Sequence, residues 1–230
     1  MLGRQTALFR GHTIVPNLSD KSIVCDFGAN RADFSVQIIR RFGCRCYAVE
    51  PNKDLILGYP SLSGLRVFNY ALGGANGQTM LKIGEDCESS SIVAAPSAQS
   101  GEQLVEVRTL GSFLDEQSLD HVDLAKFDIE GAEIPVFDNS TDATLLRFAQ
   151  ITIEFHDFNG WVAPAEVHRI LRRFAELGFL IFRMTRTAHG DVLLVNRKSI
   201  PLGFLQRSWV RAVEKNIRGV RRQLIGRLRR

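Results

Sequence analysis

Asp128, Glu154 and His156 are the residues of this chain whose types and spacing best suit chemistry. Each stands where an apolar run gives way to polar text, after 122–127 for Asp128 and after 150–153 for the other two. Two positions separate Glu154 from His156, which places them on one face of an extended segment. Histidine exchanges protons near neutral pH, which suits it to serve as a positioned proton acceptor. The pattern predicts His156 as the base, Glu154 as the group that orients it, and Asp128 facing either a cofactor amino group or the acceptor. Glu130 lines the same mouth, and Glu133 opens the next helix, where a carboxylate complements the dipole. Lys126, inside a buried strand, calls for a carboxylate partner. Asp128, Glu130, Glu154 and His156 also offer donor types suited to Mg²⁺ or Mn²⁺. Without a fixed ligand spacing, the sequence assigns no metal.

The elements that must position these groups begin at residues 23–30, Ile-Val-Cys-Asp-Phe-Gly-Ala-Asn. An apolar run enters an Asp and a Gly-Ala-Asn turn, and Phe34, Ile38, Ile39 and Phe42 follow at helical spacing. At such a turn the glycine lets the backbone approach a ligand, and the helix N-terminus offers unpaired N–H groups. Gly28, Ala29 and Asn30 are therefore candidate cofactor contacts, with Asp26 either orienting the turn or binding an amino group. A second apolar run, 46–49, ends in Glu50. An acid at that strand tip, about 20 residues beyond the glycine turn, accepts hydrogen bonds from ribose hydroxyls. Asn69, Tyr70 and Ala71, at the end of a third run, border the base. Ser89, Ser90 and Ser91 lie in a polar stretch, 84–101, that reads as a covering loop.

Strand-like text at 66–71, 122–128 and 150–156 alternates with helices such as 164–177, where Pro164 suits the first turn. A closing pair, 178–183 and 191–196, completes a mainly parallel sheet covered on both faces, its last pair antiparallel. The run 79–83 reads as a short strand of an excursion from that sheet, and 105–110 as another strand. A chain of 230 residues suits one such domain. No run approaches the ~18 apolar residues of a membrane span, and the first ten residues lack a signal-peptide core. Cys25, Cys44, Cys46 and Cys87 read as reduced structural thiols, which suggests a cytoplasmic setting.

Five blocks, taken together, resemble the FkbM family of S-adenosylmethionine-dependent methyltransferases: 26–30 (Asp-Phe-Gly-Ala-Asn), 49–52 (Val-Glu-Pro-Asn), 69–73 (Asn-Tyr-Ala-Leu-Gly), 126–133 (Lys-Phe-Asp-Ile-Glu-Gly-Ala-Glu) and 153–156 (Ile-Glu-Phe-His). They occur in the family's order within about residues 20–200. The resemblance implies a class I methyltransferase fold, α/β and Rossmann-like, with a seven-stranded mainly parallel sheet, an antiparallel last strand and helices on both faces. It also implies S-adenosyl-L-methionine as cofactor and O-methylation of a small-molecule or glycan hydroxyl. One departure stands out: the family's turn reads Gly-Ala-Asn-x-Gly, whereas Arg31 and Ala32 follow Asn30 here.

The resemblance covers the domain expected at 21–203, leaving an extension at 1–20 and a tail at 204–230. Residues 207–230 hold nine basic side chains and one acid, a net +8 in a chain of net +4, so residues 1–206 carry −4. Trp209, Val210, Val213, Ile217, Val220, Leu224 and Leu228 fall on one helical arc. The tail thus suits a protein partner or an anionic membrane surface, with nucleic acid disfavoured by the lack of a binding motif. Two other readings compete with the enzyme. One is a nicotinamide-dependent oxidoreductase, weakened because the turn lacks G-x-G-x-x-G. The other is a non-catalytic methyltransferase-like binding module.

Overall fold

The structure is a computed structural model that describes residues 5–84, 90–93, 99–185, 188–210 and 212. In chain order its elements are β1 (Ala7–Phe9), β2 (His12–Ile14), β3 (Ile23–Phe27), α1 (Asp33–Phe42), β4 (Arg45–Val49), α2 (Lys53–Ile56), β5 (Leu65–Phe68), β6 (Ala71–Leu72), β7 (Gly77–Gly84), β8 (Gln99–Arg108), α3 (Leu110–Glu116), β9 (Leu124–Phe127), α4 (Glu133–Asp138), α5 (Asp142–Leu145), β10 (Gln150–Ile153), α6 (Pro164–Glu176), β11 (Phe179–Arg183), β12 (Val192–Asn196) and α7 (Phe204–Trp209).

Seven strands form the main sheet in the order β11-β12-β10-β9-β3-β4-β5. β10, β9, β3, β4 and β5 run parallel, and β12 runs antiparallel to both neighbours. This is the predicted arrangement. Every residue of β9, β10 and β12 is buried, as expected of strands covered on both faces. The covering helices are amphipathic. α1 buries Phe34, Ser35, Ile38 and Ile39 at spacings of three and four, and α6 buries Val167, Ile170, Leu171 and Phe174, which makes each a one-faced lid on the sheet. The core between sheet and helices is rich in phenylalanine, with the Phe127 ring in tilted contact with Phe27 and Phe137.

Three sequence expectations shift. The third strand ends at Phe68 rather than Ala71 because Asn69 turns the chain, its Nδ2 donating to Glu50 O at 3.0 Å and Pro51 O at 2.8 Å. The excursion is a separate sheet, β6-β8-β7. The extension at 1–20 contains a hairpin integral to the fold. Its turn residues, Arg10 and Gly11, have φ of 46° and 90°, the left-handed pair that a two-residue hairpin needs. Thr13 donates N–H and Oγ–H to the Asp191 carboxylate at 3.0 and 2.7 Å. Val15 N donates to Gln150 Oε1 at 2.7 Å, and Gln150 Nε2 returns a bond to Val15 O at 2.9 Å. The hairpin is thereby fastened to β10 and to the residue that precedes β12.

Cys25, Cys44 and Cys46 are buried free thiols, while Cys87 and Ser89 lie outside the described residues. Among the described residues no helix is long and apolar enough to cross a membrane. Of the predicted tail helix, α7 is described; Val210 is buried while Phe204 and Leu205 are exposed, and Val213, Ile217, Val220, Leu224 and Leu228 lie outside the described residues.

Candidate active site

Two clefts open at the carboxyl ends of the parallel strands. The first is lined by Gly28, Asn30, Glu50, Leu55, Tyr70, Ala71, Leu81, Ser90 and Ile92, together with Asp128, Ile129 and Glu130. The second is lined by Arg10, His12, Asn30, Asp33, Lys126, Asp128, Glu130, Glu154, His156, Phe158 and Trp161, among others. Asn30, Asp128 and Glu130 belong to both. The clefts therefore meet at the tip of β9.

The first cleft is built around the 26–32 turn. Gly28 has φ of 76°, and a Cβ there would stand 1.7 Å from Asp128 O; no other residue fits. Asn30 and Ala32 also take left-handed conformations, φ of 51° and 59°. Ala32, which stands where the family's turn has its second glycine, thus holds a left-handed conformation that costs a residue with a Cβ about 1–2 kcal/mol. Glu50 anchors the turn from across the cleft, its carboxylate accepting from Asn30 N at 2.8 Å and Asn52 N at 2.9 Å. Burial pushes the Glu50 carboxyl up to about 7, against the two backbone N–H groups and Lys126. Asp26 lies beneath the turn instead of facing the cleft. Its fully buried carboxylate accepts from Ser35 Oγ at 2.6 Å and pairs with Lys126 Nζ at 3.1 Å. Lys126 also donates to Gly28 O at 2.8 Å, so Asp26 orients the loop, one of the two roles predicted for it. Burial opposes the Lys126 charge, but Asp26 and Asp128 outweigh it and raise the ammonium to about 12.

Segment 90–93 roofs the first cleft. Ser91 exchanges backbone bonds with Lys82 at 3.0 Å, and its Oγ donates to Glu130 O at 2.6 Å. Ser90 Oγ, on the cleft wall, is withdrawn from solvent with no hydrogen-bond partner among the described residues.

His156 dominates the second cleft. Its Nδ1 lies 2.9 Å from Glu133 Oε1, and its Nε2 lies 3.1 Å from Glu130 Oε2 and 3.7 Å from Asp128 Oδ1. Burial works against the imidazolium, yet hydrogen bonds to Glu130 and Glu133 prevail and raise it to about 11. Glu154 is pushed up to about 7 by burial and by the Asp128 charge. Asp128 is half-buried, and desolvation opposes its ionisation, but Lys126, His12 and His156 hold it well below the usual carboxylate range. Trp161 stacks on the His156 ring at 5.9 Å and 22°, and Phe158 flanks it at 5.5 Å. The loop carrying these aromatics is braced from below, where His189 N and Nδ1 contact the Asp157 carboxylate at 3.0 and 2.7 Å.

Of the residues singled out in the sequence, Gly28, Ala29, Asn30, Glu50, Tyr70, Ala71, Asp128, Glu154 and His156 line one or other cleft. Asn69 does not line either, since its amide is spent on the chain turn. The expected orientation of His156 by Glu154 is corrected: Glu133, fully buried at the start of α4, holds Nδ1 instead. Sequence reasoning missed His12, which β2 delivers to within 3.5 Å of Asp128 Oδ2. The Arg-Gly turn before it was the available signal. Trp161 and Phe158 carried none, because nothing local ties them to His156.

A seven-stranded sheet of this order, with a glycine turn and an acidic strand tip at its carboxyl edge, defines the class I methyltransferases. Residues 26–181 match the Methyltransferase FkbM domain, and the chain belongs to this family. It is an S-adenosylmethionine-dependent methyltransferase. Among solved structures it is similar to precorrin-6y C5,15-methyltransferase from Geobacter metallireducens (12% identity, 78% of this chain and 80% of that one, TM-score 0.41). It is similar also to TrmK from M. capricolum in complex with S-adenosylhomocysteine (10%, 84% and 70%, TM-score 0.44). A third is a TehB-like methyltransferase from Corynebacterium glutamicum (12%, 76% and 80%, TM-score 0.42). No curated protein matches the chain. The first cleft suits the cofactor chemically. Glu50 offers acceptors for ribose hydroxyls, Leu55, Tyr70, Ala71 and Leu81 an apolar seat for the base, and the unpartnered Ser90 Oγ a further polar contact.

Proposed function

We propose that this enzyme methylates a hydroxyl group of a carbohydrate or related natural product. The observation that carries the reading is the meeting of the two clefts at Asn30, Asp128 and Glu130, which gives donor and acceptor one shared boundary. S-adenosylmethionine, when bound, supplies a sulfonium methyl that passes to the hydroxyl oxygen as the carbon–sulfur bond breaks and its electron pair stays on sulfur. Alignment provides much of the rate in such a displacement. Gly28, Asn30 and Glu50 hold the donor side; Trp161 and Phe158 offer flat apolar faces on which a sugar ring stacks, beside the hydrogen-bonding Asn159.

Glu154 replaces His156 as the acceptor of the hydroxyl proton. Both His156 nitrogens are engaged by carboxylates, so neither presents a lone pair to the substrate, whereas the Glu154 carboxylate opens onto the cleft. His156 keeps Asp128 and Glu130 in place.

Labelled methyl transfer from S-adenosylmethionine to a panel of sugars, glycans and hydroxylated natural products tests the reading. Glu154→Gln should lower transfer by about 100-fold or more while S-adenosylhomocysteine still binds in calorimetry. Transfer confined to nitrogen or carbon acceptors would overturn the hydroxyl assignment. Full activity in Glu154→Gln would overturn the role of Glu154.

A further inference from the structure

We infer that Asp128, Glu130 and His156 hold a divalent cation of the Mn²⁺ type at the junction of the two clefts. The inference deepens the methyl-transfer reading, but the site is argued from its ligands alone.

The ligand atoms of these three side chains lie within 4.8 Å of one another. His156 is prepared for the task. Glu133, without solvent exposure, takes Nδ1 at 2.9 Å and is itself steadied by Ile129 N at 3.2 Å. A ligating histidine characteristically gives its other ring N–H to a carboxylate, which fixes the tautomer and aims the free nitrogen. Here that nitrogen is Nε2, which points between Glu130 and Asp128; a cation bound there takes the place of the proton Nε2 shares with Glu130, and that proton is released to solvent.

His12 is a second, independent indication. Only 2% exposed, it aims Nε2 at Asp128 Oδ2 from 3.5 Å, and its Nδ1 has no hydrogen-bond partner among the described residues. It comes from the far end of the chain, and with Asp128 and Glu154 it forms a second group of ligand atoms within 4.8 Å. Two imidazoles on different elements thus converge on one carboxylate. Lys126, the nearby ammonium, is committed to Gly28 O and Asp26 and meets Asp128 at Oδ2. Asp128 Oδ1 faces His156 Nε2 at 3.7 Å.

Two carboxylates and an imidazole, with no thiolate, suit Mn²⁺ and its neighbours better than soft ions or Ca²⁺. Three protein ligands leave positions open. A hydroxyl oxygen entering one of them becomes more acidic and is fixed in place; its proton goes to Glu154, and nothing is oxidised or reduced.

The test uses the metal-stripped full chain and Mn²⁺ alone, without cofactor or acceptor. Paramagnetic broadening should reach the ring resonances of His12 and His156 before those of His121, His168 and His189, at one ion per chain. Glu133→Gln, which retains all three ligands, should weaken Mn²⁺ binding by about 10–100-fold, and Glu130→Gln by at least as much. No broadening, or broadening of the exposed His121 first, would overturn the inference. So would unchanged Mn²⁺ affinity in Glu130→Gln. S-adenosylhomocysteine binding by a chain that fails this test would retire the cation and leave the methyltransferase reading standing.

Discussion

Glu133 Oε1 lies 2.9 Å from His156 Nδ1, across 23 residues of sequence and out of reach of solvent. Glu133 occupies the first position of α4, separated by the N-cap Ala132 from Glu130 and Gly131, which take left-handed φ of 53° and 96°. That double turn reverses the chain at the end of β9 and swings the first helical side chain under the site. A residue placed to complement a helix dipole becomes the anchor of the histidine.

Cofactor affinity should depend on pH through Glu50. Its carboxyl titrates at about 7 in the folded protein, and ribose hydroxyls need the ionised form as acceptor. Calorimetry with S-adenosylhomocysteine should show affinity flat above about pH 7 and falling about tenfold per unit below it. Glu50→Gln should flatten that profile and bind about tenfold or more weakly. Stability of the cofactor-free protein runs the other way. A carboxyl raised on folding contributes stability that is full below its unfolded value, 4.5, and lost as pH rises through about 7.

Gly28→Ala should abolish cofactor binding and destabilise the domain. The added Cβ meets Asp128 O at 1.7 Å in a conformation of φ 76°, so β3 and β9 must separate or the turn must change hand. A loss of about 2 kcal/mol or more in urea unfolding is expected. Wild-type stability in this variant would mean that the turn is free to rearrange.

Lys126→Met should cost about 3–5 kcal/mol, since it strips the cation from a buried pair and leaves the Asp26 carboxylate, with no solvent exposure, against Ser35 alone. The double variant Asp26→Asn with Lys126→Met should recover much of that loss. A double-mutant cycle in denaturant measures the coupling.

Thr13→Val removes a buried 2.7 Å hydrogen bond to Asp191. Equilibrium unfolding should report a loss of about 1–3 kcal/mol, and the ring resonances of His12 should shift as the hairpin loosens beside Asp128. An unmoved His12 would show that the hairpin is held by Val15 and Gln150 instead.

The main sheet was legible because its strands are short, apolar and covered on both faces, so that 24–27, 46–49 and 151–153 announce themselves one residue at a time. The strand tips were legible for a related reason: Asp26, Glu50, Asp128 and Glu154 are charges that interrupt those runs. What stayed hidden depends on distance along the chain. His12 reaches Asp128 through a hairpin whose strands have three residues each, too short to show periodicity, and whose anchor is an aspartate 178 residues away. Glu133 was visible only as a helix opener, since the reversal that turns it inward rests on a left-handed glutamate that no propensity favours. Asn69 misled for the opposite reason. A polar residue at a strand end serves a ligand or a turn equally well, and here the two carbonyls of Glu50 and Pro51 claim it.

Thr13 and Asp191 both lie outside 26–181, the residues that match the family domain, yet the bonds between them fasten the short strand that brings His12 to the second cleft. A piece of the chain cut to the matched residues would keep the 26–32 turn and lose that wall of the second cleft.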